Sequence, residues 1–448
     1  MKGKSKKATV EKLRRTDSAA FIRRRTMRGA LTLIRNRRRM RVSLAFIHTF
    51  AFCLFTFAFA GTARAQIAVR GETVHTMAGA AIRDGVVLVR GGKIERVGPA
   101  SSVKIPKDYR VITARVVTPG LVDAHTVVGL SGYLNQPHDQ MQLERSSPMQ
   151  PELRATDAYD ARERLVEWLR TLGVTTIHTG HGPGALVSGQ TLIAKTAGEE
   201  VDDAVIVPEA MIAATLGDSA IMEGGRAPGT VSKMVAMLRG ELLKAQEYDR
   251  KWQAAKEDQK PARDLRMEAY ARVLRREIPL LVTAQRSQNI IAALRLAKEF
   301  NIRVVLDGAS EAYLVVEQIK AAGVPVIVHP TMYRAAGEAE NLSMETAATL
   351  RHAGITVAIQ SGFEPYVPKT RAVLFEAAEA AANGMTFDEA LAAVTIDAAR
   401  IIGVESRVGS IEAGKDADLA LFDGDPFEYT THVTTVLING RVVSEEKR

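Results

Sequence analysis

Leu280-Leu281-Val282-Thr283-Ala284, then Ile290–Phe300, then Val304-Val305-Leu306 reads as strand, helix, strand. The outer pieces are short and aliphatic, without the alternation of a half-exposed strand, so both of their faces must be covered. The middle piece puts Ile291, Leu294 and Leu296-Ala297 on one side of a helix. A helix that crosses over between two buried strands makes them parallel neighbours. The same pattern continues on either side. It predicts strands at Val116–His125, Thr175–Thr179, Ala204–Val207, Val326–His329 and Thr356–Ile359. With the first two these make seven candidates over roughly 280 residues, the size of a (β/α)8 barrel.

The flanks have a different character. Val86–Arg90, Gly91-Gly92 and Lys93–Val97 read as a hairpin, as do Val436-Leu437-Ile438, Asn439-Gly440 and Arg441-Val442-Val443. Neither end has enough strands for a stable sheet alone. Pairing them into one small β unit solves both problems and makes the middle an insertion. The expected organisation is therefore an α/β chain. Residues 66–118 and 404–448 form a composite β-sandwich around a TIM-like barrel at 119–403. Two stretches interrupt the alternation. Ser131–Asp157 is a long polar connection after the first barrel strand, where barrels carry site loops. Lys244–Glu277 is dense in charges of both signs and reads as a solvated helical excursion.

The 448 residues carry a formal net charge of +9. Residues 1–65 hold 17 Lys and Arg against 2 Asp and Glu, and the remainder holds 43 against 49, a net of −6. The basic character belongs to the tail, which sets nucleic-acid binding aside. Arg35, Arg37, Arg38, Arg39 and Arg41 precede an apolar run from Val42 to Ala60, followed by Ala63-Arg64-Ala65. A basic stop, an apolar middle and a small-x-small site predict export, with cleavage after Ala65 and a periplasmic or secreted product. Met40 is an alternative start, and an uncleaved run is long enough to serve as a membrane anchor. The single cysteine, Cys53, lies in that run. The remaining chain therefore has no disulfide, thiolate metal site or cysteine nucleophile.

Thr118-Pro119-Gly120-Leu121-Val122-Asp123-Ala124-His125, Thr395–Gly403 and Gly409-Ser410-Ile411-Glu412-Ala413-Gly414-Lys415-Asp416-Ala417-Asp418-Leu419 occur in that order. Together they resemble the amidohydrolase superfamily, on its imidazolonepropionase-like and dipeptidase-like branch. The resemblance spans 66–448. It implies a metal-dependent barrel that hydrolyses C–N bonds, in which a bound metal lowers the pKa of water and polarises the scissile carbonyl.

Placed on this sequence, the family's ligand set is depleted. The first strand reads His125-Thr126-Val127, and the valine has no lone pair to offer. The fifth-strand histidine falls at Thr283, the sixth-strand histidine near Gly308 and the eighth-strand aspartate near Ser361. No histidine lies between residues 182 and 328, so no shift of register restores them. One imidazole is a poor zinc site. A relocated site for zinc or another divalent metal would draw on His125 with His178, His181 and His329, and Asp123 shares a strand face with His125. Against this, His125 reads as a packing or hydrogen-bonding relic, His178 and His181 as part of a Gly-rich loop, and His329 as a buried hydrogen-bonded residue. Lys195 matches a carbamylated bridging lysine of some relatives or a solvated strand-edge lysine.

Two functions follow. One is an inactive homologue with no cofactor, acting as a binding or assembly subunit beside a second copy or an intact relative. The other is an active hydrolase of a small amide or peptide-like compound with a displaced metal.

Overall fold

The computed structural model describes residues 66–331, 335–362 and 373–448. They belong to one compact unit, Arg64–Arg448. The export segment lies outside the described residues.

The strands, in chain order, are β1 (Ile67–Val74), β2 (Ile82–Arg90), β3 (Lys93–Pro99), β4 (Arg110–Pro119), β5 (Leu121–Thr126), β6 (Val174–Thr179), β7 (Val187–Gln190), β8 (Leu192–Lys195) and β9 (Val205–Val207). They continue with β10 (Ile212–Thr215), β11 (Leu280–Ala284), β12 (Val304–Gly308), β13 (Val326–Val328), β14 (Val357–Ile359), β15 (Leu419–Phe422), β16 (Val433–Ile438) and β17 (Arg441–Ser444). The two chain ends share one seven-stranded sheet, ordered β17-β16-β15-β4-β1-β2-β3. They meet where β4 runs antiparallel to β15. Through the β4–β15 ladder all seven strands are hydrogen-bonded into one continuous sheet.

Both predicted hairpins form. Asn439 and Gly440 both have positive φ, 50° and 70°, as a two-residue turn matching the strand twist requires. A Cβ on Gly440 would meet Val89 at 2.8 Å and the Gly92 backbone at 2.9 Å, so the two hairpin tips abut.

The middle of the chain supplies a six-stranded sheet, β14-β13-β12-β11-β10-β7, and a four-stranded one, β5-β6-β8-β9. From β10 to β14 the pairing is parallel, as is β5 with β6. The opening strand–helix–strand reading is β11, the helix Ser287–Phe300 and β12. Three expectations change. Gly120 divides Val116–His125 into β4 and β5, one strand for each body. Ala204–Val207 holds β9, which runs antiparallel on β8, and the strand beside β11 is instead β10. The run Val187–Lys195, bent at Thr191, lies antiparallel to both β6 and β10. Only a short loop separates β6 from β7, and without a crossover the chain must reverse direction. Among the described residues no ladder closes β14 onto β5. Their contact is the Gly362 N–H to His125 carbonyl bond at 3.4 Å, with side chains alongside.

The polar stretch 131–157 is pinned along β7 by backbone bonds such as Gln150 N to Val187 O, 2.9 Å. The charged excursion is part of a helical pair, Val231–Ala254 and Leu265–Leu274. Met234, Leu238 and Leu242 are buried on its inner face, so the pair is amphipathic and only its outer side is solvated.

The sheet of the chain ends is tied to the middle by ions. Lys195, at the end of β8, is 2% exposed. Its Nζ contacts Asp418 and lies 3.1 Å from Asp416. Asp416 also binds Lys93 at 2.6 Å and Arg407 at 3.0 Å. Burial pushes its carboxyl up, but these cations outweigh that and hold it below the usual range. Lys195 is thus neither solvated nor at the strand-end cleft. Lys195→Met leaves the buried carboxylates short of a partner and is expected to cost about 3 kcal/mol or more. Urea unfolding of residues 66–448 measures this, and an unchanged midpoint would refute it.

Candidate functional site

Parallel strands bring their C-terminal residues to one end, and here those ends enclose a narrow cleft. His125 and Thr126 come from β5, Thr283 from β11, and Asp307 from β12. His329 and Gln360 directly follow β13 and β14. The cleft measures ≈ 20 Å³, room for about one water molecule.

Its centre is a carboxylate. The register of β11 on β12 sets Thr283 opposite Asp307, and the Thr283 hydroxyl donates to Asp307 Oδ2 at 2.5 Å. Oδ1 accepts from His125 Nδ1 at 2.8 Å and from Gln360 Nε2 at 2.9 Å. Asp307 is 2% exposed. Burial alone would raise its pKa, but the His125 charge and these three donors hold it below the ordinary value. Reciprocally, burial lowers the His125 pKa, while Asp307 and then Asp123 raise it further, so the net shift is upward. His125 Nε2 has no hydrogen-bond partner among the described residues.

A second buried carboxylate sits at the seam of β5 and β14. Asp123 accepts from the Ser361 N–H at 3.0 Å, the Ser361 hydroxyl at 2.5 Å and the His125 N–H at 3.3 Å. Burial pushes its carboxyl up to about 6 against the pull of these donors.

The other histidines divide. His178 Nδ1 donates to the Ala124 carbonyl at 2.7 Å, and its Nε2 meets the Thr191 hydroxyl at 2.6 Å. Burial and the nearby His125 lower its pKa to about 3, so the ring is neutral and its one lone pair accepts from Thr191. It has nothing left for a metal. His181 is lowered to about 4 by burial, and neither ring nitrogen has a hydrogen-bond partner among the described residues. It packs against Gly189 and is not part of the cleft lining. His329 Nδ1 donates to the Pro330 carbonyl at 3.2 Å, and its buried Nε2 has no hydrogen-bond partner among the described residues.

The donor set does not fit the metal that the sequence resemblance implies. Among the described residues no group of three or more His, Cys, Asp or Glu is placed to hold an ion. Among the described residues His125 and His329 are the cleft imidazoles, and the one carboxylate there already accepts from three protein donors. The four depleted positions are built for other purposes. Val127 is buried beyond the end of β5, its carbonyl accepting from Leu130 and Ser131 in a turn. Thr283 and Ser361 serve the two carboxylates. Gly308 has φ +74, and a Cβ there would run into the Gln285 amide, so this position accepts no histidine without local rearrangement.

Asp307 and Gln360 are the residues that the sequence reading misses, each one position before a residue it named. A lone acid in the buried strand Val304–Gly308 is the signal for Asp307, since such a charge must find partners. Nothing comparable marks Gln360.

The Asp123 carboxyl gives a measurable signature. The folded chain keeps its proton up to about pH 6, whereas the unfolded chain releases it near about pH 4. Folding stability therefore falls as pH rises through that window, by about 3 kcal/mol in this one group. Asp123→Asn, which retains an acceptor for Ser361, should remove that component. Urea titrations at several pH values measure it, and a variant with the parent's slope would contradict the assignment.

The fold and this strand-end cleft can be set beside known proteins. The model of the Amidohydrolase family matches residues 129–444. An imidazolonepropionase from Rhizobium rhizogenes is 27% identical over 397 residues, covering 80% of this chain and 91% of the relative. The crystal structure of an amidohydrolase from Thermotoga maritima MSB8 superposes with a TM-score of 0.80 at 29% identity, over 85% of this chain and all of that one. A Xaa-Pro dipeptidase shares the fold, with a TM-score of 0.54 at 15% identity. The chain belongs to the amidohydrolase family.

Proposed function

We propose that this chain is a catalytically impaired amidohydrolase whose site for C–N bond hydrolysis has become a protein-only hydrogen-bond network, and that it acts as a binding or assembly subunit. The observation that carries this reading is the Asp307 carboxylate. Donors from three strand-end segments converge on it, so the negative charge that would help hold a cation is already spent on His125, Thr283 and Gln360. The cleft's size supports the same view, because sites for organic ligands usually enclose about 300 Å³ or more. A small amide or peptide-like compound enters only if the surrounding loops part.

The remaining elements of the proposal rest on sequence and likeness. The strand order β5, β6, β8 with β7, then β10 to β14, gives eight positions. With the likeness to the Thermotoga protein, it supports a (β/α)8-type barrel carrying a composite β unit. Residues 66–448 are exported after cleavage behind Ala65. They associate with a second copy or with an intact relative.

One observation favours the alternative, an active hydrolase with a displaced metal. His125 and His329 both line the cleft, and neither Nε2 has a hydrogen-bond partner among the described residues. Metal content separates the two readings. Residues 66–448 produced in medium containing zinc and manganese are expected to carry sub-stoichiometric metal by plasma mass spectrometry. They should leave dipeptide and cyclic-amide substrates intact whether or not zinc is added. One equivalent of metal, lost in both His125→Ala and His329→Ala, would establish the alternative. For export, N-terminal sequencing of the secreted product should begin at Gln66, and an intact N-terminus on membranes would overturn the cleavage.

A further inference from the structure

The strands that end at the cleft begin at a second and much larger hollow. Residues leading into β11, β12, β13 and β14, together with parts of three neighbouring helices, line a groove of ≈ 1200 Å³. Its walls carry Arg276, Arg295, Lys298, Arg303, Lys320 and Arg400, and no Asp or Glu among the described residues lines it. Among the described residues only Arg400 of these six is ion-paired, to Asp397 at 2.6 Å. Arg276 donates to the Asn301 backbone and side-chain carbonyls at 2.9 Å, and Arg303 to the Glu277 carbonyl at 2.8 Å. Those neutral acceptors fix the guanidinium groups without cancelling their charge. Arg295, Lys298 and Lys320 are exposed and make no side-chain hydrogen bond or ion pair among the described residues. Between the cations the surface is aliphatic, with Ile291, Leu294, Ile319, Ile355 and Ile401.

We propose that this groove docks an acidic, amphipathic segment of a partner protein. The inference rests on the assembly reading above and supplies its surface. Residues 66–448 carry a net charge of −6, so a wall of six cations without a lining acid is a local reversal of sign that attracts carboxylates. The aliphatic floor calls for apolar side chains on the same ligand. No aromatic residue among those described lines the groove, so these residues offer none of the stacking platforms on which single-stranded nucleic acid is held. Its floor is recessed, Val304 and Val305 being 5% and 3% exposed, beyond the reach of a flat bilayer. The chain's own residues 1–65 carry a net +15 and are repelled. Docking at the strand starts leaves the cleft at the strand ends uncovered.

The test is fluorescence anisotropy of residues 66–448 with a labelled helical peptide of about five turns, Leu on one face and Glu on the other. The expected result is saturable binding that weakens with salt and drops about tenfold or more in Arg295→Glu/Lys298→Glu/Lys320→Glu. The same peptide with Gln for Glu should not bind. These side chains are exposed and unpaired, so thermal unfolding should match the parent. The triple Gln variant, which only removes charge, provides a second measure if the reversal perturbs folding. Absence of saturable binding, or equal binding by parent and both variants, overturns the proposal. So does equal competition by heparin or anionic vesicles, which marks a general polyanion surface. A dimer that dissociates in the same variants would assign the groove to a second copy and also overturn it. Metal content is unaffected by these changes, so failure here is separate from failure of the metal-free reading.

Discussion

A buried lysine holds the two parts of this protein together. Lys195 ends a strand of the middle region, and Asp416 and Asp418 lead into the first strand of the C-terminal hairpin system. Both carboxylates are nearly inaccessible, so the cluster is stable only while all its members are in place. Asp418 Oδ1 also accepts from the Asn439 N–H at 2.8 Å, and Asp416 reaches Lys93 at the β2–β3 turn. One ion cluster thereby fixes the tip of each hairpin and the edge of the middle strands. The Gly-Lys-Asp-Ala-Asp sequence at 414–418 is, in this structure, the device that closes the chain ends onto the inserted body.

The same logic of buried charge governs the strand-end cleft, with a different outcome. Asp307 and His125 compensate each other, and Thr283 and Gln360 add two more hydrogen bonds to the carboxylate. A buried carboxylate without such partners would protonate or destabilise the fold. Asp123 lies closer to that limit. Its donors are neutral, so its pKa rises where that of Asp307 falls. Two acids within one region thus differ because one faces an imidazole through a hydrogen bond and the other faces a serine.

The opposite ends of the β11–β14 strands carry opposite kinds of surface. At the C-terminal ends the polar groups are matched to one another and little space remains. At the N-terminal ends five of the six groove cations lack a carboxylate partner among the described residues, and the space is wide.

Much of this architecture was legible in the sequence because it depends on local pattern. Aliphatic runs such as Leu280–Ala284, the amphipathic stretch Ile290–Phe300 and the Gly91-Gly92 and Asn439-Gly440 turns dictate strands, helix and hairpins by periodicity and backbone freedom alone. That Val127 and Thr283 carry no imidazole was equally plain, since a side chain's donor atoms are a property of its type. What only the tertiary structure decided is who faces whom. Register placed Asp307, one residue before the position suspected, opposite Thr283 and against His125. The antiparallel run Val187–Lys195 depended on how a short loop packs. Lys195, which reads as a solvated strand-edge lysine, is the most buried Lys or Arg among the described residues because two distant aspartates converge on it. Sequence determines the menu of chemical groups and local shapes. Partnership between residues more than a hundred positions apart is fixed only when the whole chain has packed, because hydrogen bonds and ion pairs act over a few ångströms.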